Sequence, residues 1–91
     1  MLLRVGPDED IAALVRGVSD ESRVVLVLPT LDPLAMARVR ASIGPLAVEL
    51  APAIRLNAVF PTDTAASADI DAAVAFLEQA RSTTGQLLDV A

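Results

Sequence analysis

The chain of 91 residues contains no Cys, His, Lys, Tyr or Trp. Without Cys, disulfide staples and thiolate chemistry are both excluded. Without His or Lys, none of Ser19, Ser22, Ser42, Ser67 or Ser82 has the side-chain base that a hydroxyl nucleophile generally needs. All seven cations are Arg, against twelve acids, for a formal charge of −5, so a nucleic-acid backbone is not an expected partner. The four glycines, Gly6, Gly17, Gly44 and Gly85, are too scattered to build a phosphate-cradling loop. No apolar run approaches the ~20 residues that span a bilayer, so no membrane segment is expected. The N-terminal stretch MLLRVGPDED turns acidic at once and lacks a long apolar core, so it does not read as a secretory signal. These absences make the cytoplasm the default expectation. The chemistry that remains rests on Asp, Glu, Arg, Ser and Thr.

What is present is apolarity. The hydrophobic fraction is 54% and the mean hydropathy +0.56, high for so short a chain. The length suits one domain, residues 1–91, with limited interior to hide that surface. The excess therefore points to self-association or a partner.

The elements alternate. Leu2–Val5 reads as a short strand closed by Gly6-Pro7. Asp8, Glu9 and Asp10 open a helix with acids in its first turn, followed by an apolar stripe of Ile11, Leu14, Val15 and Val18. Ser19–Ser22 is a polar turn. Val24–Leu28 is apolar at every position, the pattern of a strand buried on both faces. Asp32-Pro33 starts a helix that runs to Leu50, with Gly44-Pro45 predicting a kink. Arg38, Ser42, Pro45 and Glu49 form one narrow polar stripe on it, so the helix is expected to be buried around most of its circumference. Arg40 points away from that stripe and needs a partner. Ala53–Phe60 is a strand, Ala68–Ala80 a helix, and Gln86–Val90 a last strand after the turn at Thr83–Gly85.

The order βαβαβαβ calls for an open four-stranded parallel sheet. Right-handed crossovers between sequentially ordered strands place all three helices on one face and leave the other bare. Ligands of such sheets bind at the carboxyl ends of the strands. There Asp8, Asp32 and Asp63 are weak candidates for a divalent-cation site such as Mg²⁺, against the plainer reading that each acid serves a helix N-terminus.

The stretch LAVELAPAIRLNAVFP, from Leu46 to Pro61, resembles the short-chain dehydrogenase/reductase family, in which a helix ending in "LA-x-ELAP" runs into a strand reading "IRVNAV-x-PG". The tail, Asp71–Leu77 and then Thr84–Val90, is similar to that family's "AVAFL…TGQ-x-L-x-V" ending. The likeness covers Asp32 to Val90 and implies half of a Rossmann-like α/β fold. In the family a Tyr-x-x-x-Lys pair opens this helix, Tyr acting as general acid while Lys lowers its pKa and holds the cofactor ribose. That register falls here on Asp32 and Met36, and neither can do the work. The Gly-rich dinucleotide loop is missing. Gly6–Leu28 matches either of two strand–helix–strand segments of the family, and both assignments stay open. Asn57 and Pro61 are expected to fix the strand end rather than touch a ligand.

The expectation is therefore a truncated pseudoenzyme with no catalytic residues and no cofactor. It would act as an interaction, regulatory or structural subunit, self-assembling or docked on a full-length reductase. The resemblance also implies an interface helix, because the family commonly packs this helix against its copy in another subunit. A homodimer or higher homo-oligomer follows, with Met36, Val39, Arg40, Ile43, Leu46 and Leu50 at the interface; the alternative is that the last helix crosses to the other face and completes a monomeric three-layer sandwich. The alternative is a small-molecule or Mg²⁺-binding protein, or a minimal enzyme, that uses the acidic rim.

Overall fold

A computed structural model describes residues 1–19 and 21–91. The elements are β1 (Leu2–Arg4), α1 (Ile11–Arg16), β2 (Arg23–Val27), α2 (Pro33–Leu50), β3 (Arg55–Pro61), α3 (Ser67–Gln79) and β4 (Leu87–Val90). The expected turn at Ser19–Ser22 includes Asp20, which lies outside the described residues. Among the described residues, no helix is long and apolar enough to cross a membrane.

Helix starts follow local chemistry. Asp10 and Asp32 adopt extended N-cap conformations, and their carboxylates accept the amides of Ala13 (3.2 Å) and Ala35 (2.9 Å). Helix α1 is shorter than its stripe suggested. It begins at Ile11, so Asp8 and Glu9 precede the first turn, and it closes at Gly17. Val18 still packs on the core from beyond the helix end.

The four strands are parallel and lie in the order β1-β2-β3-β4. Alternation along β2 and β3 divides the interior into two layers. On one face Val24, Leu26, Leu28, Leu56, Ala58 and Phe60 pack with Val15 of α1 and with Ile43 and Leu46 of α2. On the other face Val25, Val27 and Val59 pack with Val74 and Leu77 of α3. The expectation of three helices on one face is therefore corrected: α3 covers the opposite face. In a sequentially ordered parallel sheet, that gives the β3–α3–β4 connection the opposite hand to the first two. With right-handed crossovers near-universal, a change of hand within one sheet is the cost of covering both faces. A second face of valines left in water is the alternative.

The expected break at Gly44-Pro45 does not occur, and α2 runs as one helix through Pro45. Two features permit this. Gly44 has no Cβ to meet the Pro45 ring, and a Cβ built there would have no neighbour within 4 Å. Ala41 and Pro45 both lie on the exposed side, so the Ala41 carbonyl that loses its amide partner can turn to water. Replacing Pro45 by Ala restores that donor. Proline inside a helix costs about 3 kcal/mol, so Pro45→Ala is expected to stabilise the fold by roughly 1–3 kcal/mol in urea unfolding. An unchanged or lower midpoint would contradict this account of the helix.

Candidate functional site

At the carboxyl ends of the strands Glu9, Asp10, Asp32 and Asp63 each have a local partner. Glu9 accepts the Gly6 amide at 2.8 Å, and Asp10 and Asp32 cap their helices. Asp63 accepts the Thr30 hydroxyl at 2.6 Å, beside Thr62 and Thr64, whose hydroxyls lie 3.4 Å apart. Among the described residues, no three Asp or Glu side chains gather closely enough to hold a metal ion. Asp8, Asp32 and Asp63 are thus not brought together. The Asp32 carboxylate turns back onto its own helix start, and that of Asp63 is held by Thr30.

An open groove of about 820 Å³ lies between α1 and α2. Ile11, Ala12, Val39 and Leu46 form its floor. Glu9, Asp10 and Arg16 rim one side, Arg38, Ser42, Pro45 and Glu49 the other. The polar stripe expected on α2 is therefore one bank of this groove. At one end Arg16 and Glu49 form a two-pronged ion pair, Nε to Oε2 at 2.8 Å and Nη2 to Oε1 at 2.7 Å. These hydrogen bonds, and then the opposite charge, raise the Arg16 pKa and lower that of Glu49.

The six residues expected at an interface mostly turn inward. Ile43 and Leu46 are buried in the chain's own core, and Met36, Val39 and Leu50 are half-buried against it. Arg40 finds its partner within the chain: it pairs with Asp89 of β4, and its guanidinium lies 4.4 Å from the Phe60 ring centroid. What α2 presents outward instead is Leu34, Ala37, Ala41 and Val48, with Leu34 62% and Val48 78% exposed. The sequence carries a signal for this. Residues 36, 39, 43, 46 and 50 form one heptad stripe, and residues 34, 37, 41, 44 and 48 form a second. The two are offset by two residues, about 200° around the helix, and the bulkier set faces the sheet.

Asn57 is buried at 2% exposure on β3. Its Nδ2 donates to the Thr83 carbonyl and its Oδ1 accepts the Gln86 amide, each at 3.0 Å. Gly85, at φ +75°, donates to the Leu56 carbonyl at 2.7 Å. Asn57 thus fastens the turn that delivers β4, and both ends of its amide are used. Pro61 sits beside Val90 at the end of β3.

Comparison with known proteins gives one match. A family model described as short chain dehydrogenase-like protein matches residues 8–90. No curated protein and no solved structure matches the chain.

Two outcomes follow from this geometry. Asn57→Ala leaves the part-buried Gln86 amide and Thr83 carbonyl without their partner, at a cost of about 1–3 kcal/mol, so thermal unfolding should move several degrees lower. A shift of under one degree would show that the turn holds without Asn57. Glu49 has a folded pKa below its unfolded value, so its contribution is present above the unfolded pKa and is lost as pH falls through the folded one. The melting temperatures of wild type and Glu49→Gln should therefore differ at neutral pH and converge in acid. A difference that persists at the acid end would show that the pair's charge is not its source.

Proposed function

The chain belongs to the short-chain dehydrogenase-like family, and from that premise we propose that it is a non-catalytic member that works by association. The carrying observation is what occupies the catalytic register. Asp32, at the position of the family's Tyr, has its carboxylate 2.9 Å from the Ala35 amide and is spent on capping. Met36, at the position of the Lys, is half-buried against the core and carries no charge. A short ionised carboxylate is a poor proton donor at neutral pH, and the sequence has no Tyr or Lys to replace it.

The nicotinamide dinucleotide that the family implies does not fit the residues present. Its pyrophosphate belongs at a helix N-terminus beside the strand ends. Here Glu9, Asp10, Asp32 and Asp63 lie in the loops that follow the strands and repel an anion. No catalytic step is derived through it.

The role is then structural or regulatory: the chain self-assembles, or docks on a full-length reductase. The outward apolar stripe of α2 supports this reading, because a helix with no such role would carry charge there. Isothermal calorimetry with NAD(H) and NADP(H) tests the non-catalytic half, and no binding heat is expected at micromolar concentrations. A saturable micromolar isotherm with either dinucleotide would overturn it.

A further inference from the structure

We propose that the amino-end edge of the sheet, on its α3 side, is a binding site for a phosphate dianion held by Arg23, Arg55 and Arg81. The dianion is the free ion or the head of a small phosphomonoester. The proposal goes beyond the association reading and is independent of it. It places an anion at the end of the fold opposite the acidic rim.

Placement gives the first reason. Arg23 and Arg55 open β2 and β3 and are register partners across the two strands. Alternation sends them to the same face as Val25 and Val59, the face that α3 covers. The segment that leaves α3 is pinned to this corner at two points. The Glu78 carbonyl accepts from Arg23 Nη1 at 2.8 Å, and the Thr83 carbonyl accepts from Asn57 Nδ2 at 3.0 Å. Arg81 lies between those two points and is exposed. Three separate segments thus bring three arginines to one corner.

Unused hydrogen-bonding capacity gives the second reason. Arg23 is half-buried, and its Nε is buried with no hydrogen-bond partner. Its Nη1 is spent on the end of α3. That leaves the Nε–Nη2 edge, the same edge with which Arg16 grips Glu49. A buried donor of a charged group left in this state costs free energy. Among the described residues, Arg55 and Arg81 make no ion pair, and neither does exposed Glu21. Glu78, near the end of α3, is turned to the Met1 ammonium at 3.2 Å. Two half-buried like charges on adjacent strands repel each other. A fold that keeps them side by side without an acid breaks a local rule, and such breaks gather at functional positions.

Charge selects the ligand. A carboxylate monoanion balances one guanidinium, whereas a phosphate dianion brings a second charge and more acceptor oxygens, and the planar Arg fork matches its edges. The rest of the molecule adds direction. Asp8, Glu9, Asp10, Asp32 and Asp63 follow the carboxyl ends of the strands, while Arg23 and Arg55 stand at the amino ends. An anion is repelled from the first end and drawn to the second. A formal charge of −5 disfavours an extended nucleic-acid backbone, so the three arginines suit a single phosphate group.

Calorimetric titration with inorganic phosphate and with methyl phosphate, at constant ionic strength, tests the site. Saturable one-to-one binding in the millimolar range is expected for at least one of them, with none for acetate. Tighter binding of the ester assigns a phosphomonoester, and binding of inorganic phosphate alone assigns the free ion. Arg55→Gln and Arg81→Gln should each weaken binding by roughly tenfold. Arg38→Gln removes an exposed arginine from α2 and should leave binding unchanged. Circular dichroism checks that each variant is folded, and exposed Arg81 supplies the readout if Arg55→Gln unfolds. The proposal is overturned by no saturable binding of either phosphate, by equal binding of acetate, or by a loss in Arg81→Gln no greater than in Arg38→Gln. These titrations are read in the millimolar range and leave the micromolar dinucleotide test of the non-catalytic reading untouched.

Discussion

Two neighbouring strands that are apolar on both faces are the constraint from which the rest of this fold follows. Val24 to Leu28 and Leu56 to Phe60 send alternate side chains to opposite sides, and nearly all of them are buried. A sheet of this kind costs free energy unless both sides are covered. Sequential order with uniform right-handed connections covers one side only. The chain meets the requirement by sending α3 to the opposite face, where Val74 and Leu77 close a second core over Val25, Val27 and Val59.

That solution makes the turn before β4 unusually demanding. The strand must be delivered to the open edge of β3 from the far face, and the fastening is polar. Asn57 holds Thr83 and Gln86, Thr84 accepts the Leu56 amide, and Gly85 takes the positive φ that the reversal needs. From the other face Arg40 reaches over Phe60 to Asp89 and ties α2 to the same strand. The parts that resemble the reductase family most closely are therefore parts that close the sheet. Asp32 caps α2 and Met36 lies half-buried against the core one turn on.

Helix α2 carries one stripe that meets the core and one that is left exposed. Its two heptad stripes lie on opposite sides, and the bulkier one meets the sheet because it fills more of the space above Ala58 and Leu56. The smaller one is left outward between Leu34 and Val48. The groove beside it is edged by charges of alternating sign, and this sets the α1–α2 face apart from the α3 face, where Phe76 stands exposed on a helix whose charged residues are all acidic.

The sequence alone determined the order of elements, the helix start at Asp32, and the doubly buried nature of β2. These depend on residues close in the chain: a capping carboxylate three residues before its amide, or five consecutive apolar side chains in an extended segment. It also determined what chemistry is missing, because a residue type absent from the sequence is absent from every site the chain itself can build. Tertiary structure decided the face taken by α3, the stripe of α2 turned to the core and the partner of Arg40. Each of these choices is between surfaces of similar apolarity or charge that lie far apart in sequence. Local pattern is symmetric with respect to such choices. Only the packing of whole elements, with both faces of one sheet to cover, breaks that symmetry.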